Sequence, residues 1–213
     1  MSSDVLVTTP AQRQTEPHAE AVSRNRRQQA TFRKVLAAAM ATLREKSYAD
    51  LTVRLVAARA KVAPATAYTY FSSKNHLIAE VYLDLVRQVP CVTDVNVPMP
   101  IRVTSSLRHL ALVVADEPEI GAACTAALLD GGADPAVRAV RDRIGAEIHR
   151  RITSAIGPGA DPGTVFALEM AFFGALVQAG SGTFTYHEIA DRLGYVVGLI
   201  LAGANEPSTG VSE

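Results

Sequence analysis

From residue 24 onward, apolar residues recur at intervals of three and four, the period that gathers side chains onto one face of an α-helix. Phe32, Val35, Leu36, Ala39, Met40 and Leu43 form the first such stripe, and Arg26, Arg27, Arg33, Lys34 and Arg44 lie mostly off it. The pattern predicts a helix starting near Arg24 that packs on one face. A short second helix is predicted over 53–60, where Val53, Val56, Ala57 and Ala60 share a side and Thr52 can cap the start. After Lys61, Val62 and Ala63 comes Pro64, which suits the first position of a third helix because its missing N–H would have no partner there. That helix is read to Tyr70. Ser72 or Ser73 can cap a fourth, whose Leu77, Val81, Leu85 and Val89 keep one apolar side until Pro90 stops it.

The segment CVTDVNVPMP, with two prolines and no helical period, reads as a connector. Beyond it, helices are predicted over 101–117, 119–129, 136–156, 164–179 and 188–202, separated by Pro118, GGADP, GPGADP and GSGT. VTDVNV and TFTY alternate briefly, but each is short and isolated, so a sheet has nothing to pair with. An all-α protein is expected. Residues 1–23 lack an apolar period and read as a mobile arm, and 206–213 as a frayed tail.

Composition narrows this picture. A chain of 213 residues with 48% hydrophobic residues and a mean hydropathy of +0.14 can bury a real core in one large domain, or in a small and a medium one. The strongly apolar runs near 170–179 and 195–204 are shorter than the roughly 20 residues that cross a bilayer, so a soluble protein without a membrane partner is expected. The N-terminus has neither a basic start nor an apolar run of signal-peptide length, which points to the cytoplasm. Cys91 and Cys124 have no neighbours at metal-ligand spacing and are expected to be buried free thiols, with no metal and no cofactor.

The formal charge of zero hides an asymmetry. Residues 1–90 carry thirteen basic and seven acidic side chains, a net +6, and the remainder carries −6. Between Arg24 and Lys74 eleven basic residues face only Glu45 and Asp50. This is a footprint for a polyanion, although a solvated basic surface has the same composition. A short helix, a turn of about three residues and a second short helix, braced by a longer helix in front, have the layout of a helix-turn-helix, whose second helix enters the major groove of duplex DNA. On that helix Ala65 and Thr69 are small enough to permit close approach, and Thr66 offers a hydroxyl and a methyl to a base. Tyr68 and Tyr70 carry hydroxyls for phosphate, with the alternative that their rings cover the small core beneath, which Phe71 and Val62 suit. Lys74, at the next helix start, is the leading phosphate contact, the alternative being an exposed lysine. Arg24 and Arg27 can follow the backbone or reach the minor groove, or can simply solvate a helix start.

The stretch TVRLVAARAKVAPATAYTYFSSKNHL, residues 52–77, resembles the signature of the tetracycline-repressor (TetR) family of bacterial transcription regulators. Thr52-Val53, Ala57, Ala60, Val62, Pro64, Thr66, Tyr68, Tyr70-Phe71, Ser73-Lys74 and Leu77 stand at its spacing, and the likeness extends over about residues 28–80. The resemblance implies an all-α homodimer on a palindromic operator, a bundle of the last two helices as the dimer contact, and a small molecule that relieves repression. It carries DNA contact over to Thr66, Tyr68, Tyr70 and Lys74, and a phosphate contact to Thr52. Two positions depart from the pattern. Lys61 stands where glycine is usual, and Ala63 offers no side-chain cap to the recognition helix.

The domains expected are therefore a DNA-binding unit over 24–76 and a ligand-binding and dimerisation unit over 77–205. In the second, the last two predicted helices are apolar on more than one side, and Phe172, Leu176, Ile189, Leu193, Val196, Val197 and Ile200 are expected at the dimer interface. Gly174, Gly194 and Gly198 permit close helix approach or are merely tolerated there. Leu110, Val114, Cys124, Leu128, Ile148, Met170 and Phe173 are expected to line an apolar ligand pocket, with His109, His149, Glu169 or Gln178 orienting its occupant. Each is also an ordinary core or surface residue. An activator, or a regulator that needs no ligand, has the same sequence signature. A small helical enzyme is the remote alternative, for which no catalytic pattern is visible.

Overall fold

The structure, a computed structural model, describes residues 11–130 and 133–204, with side chains from residue 25 onward. The regular elements among them are helices: α1 (Ala11–Leu43), α2 (Val53–Arg59), α3 (Pro64–Tyr70), α4 (Lys74–Gln88), α5 (Met99–Ala111), α6 (Pro118–Asp130), α7 (Pro135–Ile156), α8 (Pro162–Gly180) and α9 (Tyr186–Ala204). The protein is all-α. α1 starts well before Arg24, inside the segment read as an arm, because Ala, Gln, Glu and Arg favour helix even where no apolar face demands one. The rest of that arm and the 206–213 tail lie outside the described residues. α5 ends at Ala111 and tightens into a 3-10 turn, Leu112–Val114, instead of running to residue 117. Pro118 opens the next helix, and its ring disfavours α conformation at the residue before it.

Short polar side chains mark where the helices start. Thr52 Oγ1 accepts from Leu55 N at 3.1 Å, Ser73 Oγ from His76 N at 3.0 Å, Asp134 from Ala136 N at 2.9 Å and Asp161 from Thr164 N at 2.7 Å. At α9 a reciprocal capping box forms: Thr185 Oγ1 accepts from Glu188 N, and Glu188 Oε2 accepts from Thr185 N.

One contiguous core runs from Val35 to Leu201. Its N-terminal part is built on Phe71, fully buried, with Phe32 stacked on it at 5.0 Å and Val56, Ala67 and Leu77 around it. α4 joins this part to the rest, packing on α1 at one end and on α6 and α7 along its length. Arg151 of α7, itself buried, donates to the carbonyls of Val86 and Val89 and so closes the C-terminal end of α4. Beside it Cys91 is exposed rather than buried, since it lies in the irregular connector where no helix face covers it. Cys124 is buried, and burial pushes its thiol up to about 12.

α8, with a mean hydropathy of 1.4 over an 18-residue window, is long and apolar enough by composition to cross a membrane. The expectation from the 170–179 run, that no segment reaches that length, does not hold for the whole helix, Pro162–Gly180. In the fold it packs against α6, α7 and α9 and buries Val165, Leu168, Phe172 and Ala179.

Candidate nucleic-acid interface and interior cavity

α2 ends in a Schellman turn: Val62 N donates to Ala57 O at 3.0 Å and Lys61 N to Ala58 O at 3.0 Å, with Lys61 left-handed at φ 53°. α3 follows after residues 60–63 and packs on α2. α3 starts at Pro64 without a side-chain cap, since Ala63 has no oxygen to give. It is held from below by Ala67 and by Phe71 just past its end, both fully buried.

Ala65, Thr66, Tyr68 and Thr69 all face solvent, with Tyr68 51% exposed. Thr69 Oγ1 turns back to donate to Ala65 O at 3.0 Å. Tyr70 does not join them. Its ring is half-buried and meets Phe32 edge-on at 6.1 Å, so the small core claims it, because the preceding turn places residue 70 on the side of α1. Lys74 is likewise not free: its Nζ donates to Tyr48 O at 3.0 Å and lies 4.3 Å from the centre of the Tyr48 ring. Tyr48 in turn donates to Asn75 Oδ1, and burial pushes its phenol up to about 12. Thr52 is exposed but its hydroxyl oxygen is occupied by the α2 cap.

The basic surface is smaller than the count of its charges. Arg59 pairs with Glu45 through two bonds of 2.6 Å, and Arg44 pairs with Glu117 from the α5–α6 link. Arg26, Arg27, Arg33, Lys34, Lys46, Arg54 and Lys61 remain exposed without a carboxylate within ion-pair distance among the described residues. The side chain of Arg24 lies outside the described residues. Arg54, the second residue of α2, breaks no pattern in the sequence and carries no signal there.

A cavity of about 780 Å³ opens between α6, α7 and α8, with Tyr82 of α4 and Tyr186 of α9 in its wall. Cys124, Leu128 and Phe173 line it. Leu110, Val114 and Ile148, also expected there, are instead sealed in the core without lining it, because α5 and the inner face of α7 pack tightly on their neighbours. Met170 is 55% exposed on the outer side of α8, since it follows Phe166 by one turn on the opposite face from Leu168. Leu176, expected at a subunit contact, faces the cavity. His149 Nδ1 and Glu169 Oε1 meet at its edge at 2.8 Å, whereas His109 and Gln178 do not line it.

Four residues expected at the dimer interface are core residues of this chain: Phe172, Ile189, Leu193 and Val197 are at most 3% exposed. The helix period identified an apolar face but not which neighbour it meets, and α5 and α8 meet that face of α9 first. Val196 and Ile200 are half-buried beside it. The outward row is instead Phe166 and Met170 on α8 with Tyr195 and Leu199 on α9, all at least 55% exposed, while Val177 lies at the cavity. Gly174 and Gly198 lie open on the same side, whereas a Cβ added at Gly194 would lie 3.4 Å from the Thr104 methyl of α5.

Residues 35–81 match the family model for bacterial regulatory proteins, tetR family. Solved structures share the fold. A TetR transcriptional regulator from Rhodococcus sp. RHA1 is 21% identical, with 84% of this chain and 98% of that one covered at a TM-score of 0.69. The multidrug binding protein EbrR complexed with imidazole is 18% identical, with 83% and 91% covered at 0.58. FadR from Bacillus subtilis in complex with stearoyl-CoA is 14% identical, with 81% and 98% covered at 0.54.

Proposed function

We propose that this chain, whose residues 35–81 match the tetR family model, is a transcriptional regulator of that family, a cytoplasmic repressor binding a palindromic operator as a homodimer and released by a small apolar effector. The outward face of α3 carries the reading. It is a seven-residue helix with Ala65, Thr66, Tyr68 and Thr69 in solvent, pinned from beneath by Ala67 and flanked by unpaired basic side chains. Small residues let such a helix sink into the major groove, where Thr66 reads a base while Tyr68, Arg27, Arg24 and the α2 start at Thr52 meet phosphates. Lys74 adds a phosphate contact only by leaving Tyr48, or by sharing its three donors with it. Tyr70 serves by fixing α3 on α1.

Residues 24–76 form the head and 77–205 the body, and α4 belongs to both. Its N-terminus abuts α3 and its middle forms a cavity wall at Tyr82, so an occupant that moves α4 moves the head. The exposed row on α8 and α9 is the contact between subunits, a self-complementary two-fold bundle that sets the spacing of two heads. Neighbours of the same fold that hold stearoyl-CoA and imidazole support an interior effector site.

Selection of bound sequences from a random duplex pool, with the mass of the winning complex and its salt dependence, tests this reading. An inverted repeat bound by one or two dimers is expected. Binding without sequence enrichment would sink it.

A further inference from the structure

Both serines of the turn between α3 and α4 are tied to α7. Ser73 Oγ donates to Asp134 Oδ2 at 2.8 Å, on the residue that caps α7. The tie from Ser72 runs through side chains of α4. Ser72 N donates to His76 Nδ1 at 3.1 Å, with Ser72 Oγ 3.2 Å from the same nitrogen, and His76 Nε2 faces Glu80 Oε1 at 3.6 Å, one turn further on. Arg143 of α7 donates to that same carboxylate oxygen. A backbone N–H can only donate, so Nδ1 carries no proton and the ring hydrogen sits on Nε2, toward Glu80. Glu80 is buried. Burial pushes its carboxyl up, but His76 and Arg143 beside it prevail and hold it below the usual range, so it stays ionised.

We infer that Arg143, Glu80 and His76 are positioning residues for DNA binding, a relay by which α7 holds the backbone at Ser72 and so sets the pose of the recognition helix α3. The inference rests on α3 being the helix that reads DNA, and it names what fixes that helix from the body. Ser72 directly follows Phe71, the residue on which the N-terminal core is built, and the His76 ring meets that phenyl edge-on at 5.9 Å. At the other end, Arg141, Asp142, Ile144 and Gly145, on either side of Arg143 in the chain, line the cavity, whereas Arg143 itself reaches α4. One helix thus carries a cavity wall and the hold on α3. Stability alone does not account for the arrangement: desolvating a carboxylate offsets most of what such a pair gains, and an apolar residue at position 80 would serve the core as well. Geometry does account for it. With the guanidinium gone, the Glu80 carboxylate is left buried with a single partner, and the imidazole turns to it at the expense of the Ser72 amide.

The test uses the full chain, the operator recovered by selection, and nitrogen-15 NMR of the His76 ring and the Ser72 amide. Wild-type His76 is expected to hold its proton on Nε2; a proton on Nδ1 overturns the relay. Arg143→Gln should speed hydrogen exchange of the Ser72 amide and weaken operator binding, each by about two- to tenfold. His76→Asn keeps an acceptor where Nδ1 stands but has nothing to meet Glu80, so in that background Arg143→Gln should change neither readout. A merely structural Arg143 acts alike in both backgrounds. Equal effects in the two, or Ser72 exchange unmoved by Arg143→Gln, overturn the relay and leave the DNA-binding reading standing. If Arg143→Gln alone impairs folding, Arg143→Gln combined with Glu80→Gln buries no charge and carries the same expectation in both backgrounds. Failure to recover any operator would instead remove the functional reading, and the ring and amide signals would still decide whether α7 holds Ser72.

Discussion

Lys61 pays a conformational cost that its neighbours do not. Among the described residues it alone, other than glycines, has a positive φ, and a left-handed L-residue costs about 1–2 kcal/mol. Lys61→Gly is therefore expected to raise stability by about 1 kcal/mol in chemical unfolding. A simultaneous loss of operator affinity would mean that the exposed ammonium offsets its strain on a phosphate; unchanged affinity would take Lys61 out of the interface. Lys74→Ala should lower the salt slope of binding by about 1 if its ammonium reaches DNA. An unchanged slope would leave Lys74 as the clamp on Tyr48 seen in the structure. Thr66→Ala should alter base preference and leave stability alone, which repeated sequence selection would show. Lys61 and Ala63 were legible as anomalies because turn chemistry is local. The fates of Tyr70 and Lys74 were not, since each is decided by a residue of another element, Phe32 and Tyr48.

At the level of elements, helix starts are tied to one another. Asp134 caps α7, and its other oxygen accepts from Ser73 Oγ at 2.8 Å, so the caps of α4 and α7 share a carboxylate. Ser73's hydroxyl, then the Ala136 amide, hold that carboxyl below its usual range. Glu147 is lowered in the same direction, first by Arg150. A carboxylate depressed in the folded state stabilises the fold fully above its unfolded value, about 4, and stops doing so as pH falls through the folded value. Thermal midpoints should thus hold steady above about pH 5 and drop below about pH 4. Asp134→Ala should cost about 1–2 kcal/mol near neutrality and make the acid drop shallower. An equally steep drop in the variant would assign the acid sensitivity to other carboxylates. The cap at Asp134 follows from a short polar residue before proline, but its bond to Ser73 spans sixty-one positions and has no sequence signature.

For the whole molecule, the proposed subunit contact is the sharpest test. Leu199→Glu, on the exposed row, is expected to give a folded monomer by light scattering, with helical content retained. Leu193→Glu should instead unfold the chain, because it buries a charge in the protomer core. A dimer that survives Leu199→Glu would place the contact elsewhere. Helix order, the turn before α3 and the small outward residues of the recognition helix were all determined by the sequence, since period, caps and prolines act within a few residues of themselves. Which face of α8 and α9 looks inward, which apolar residues border a cavity rather than a sealed core, and which guanidinium meets Glu80 were decided only by tertiary packing. An apolar stripe states that a face must leave water; what covers it depends on which helices arrive there, and that is a property of the whole fold.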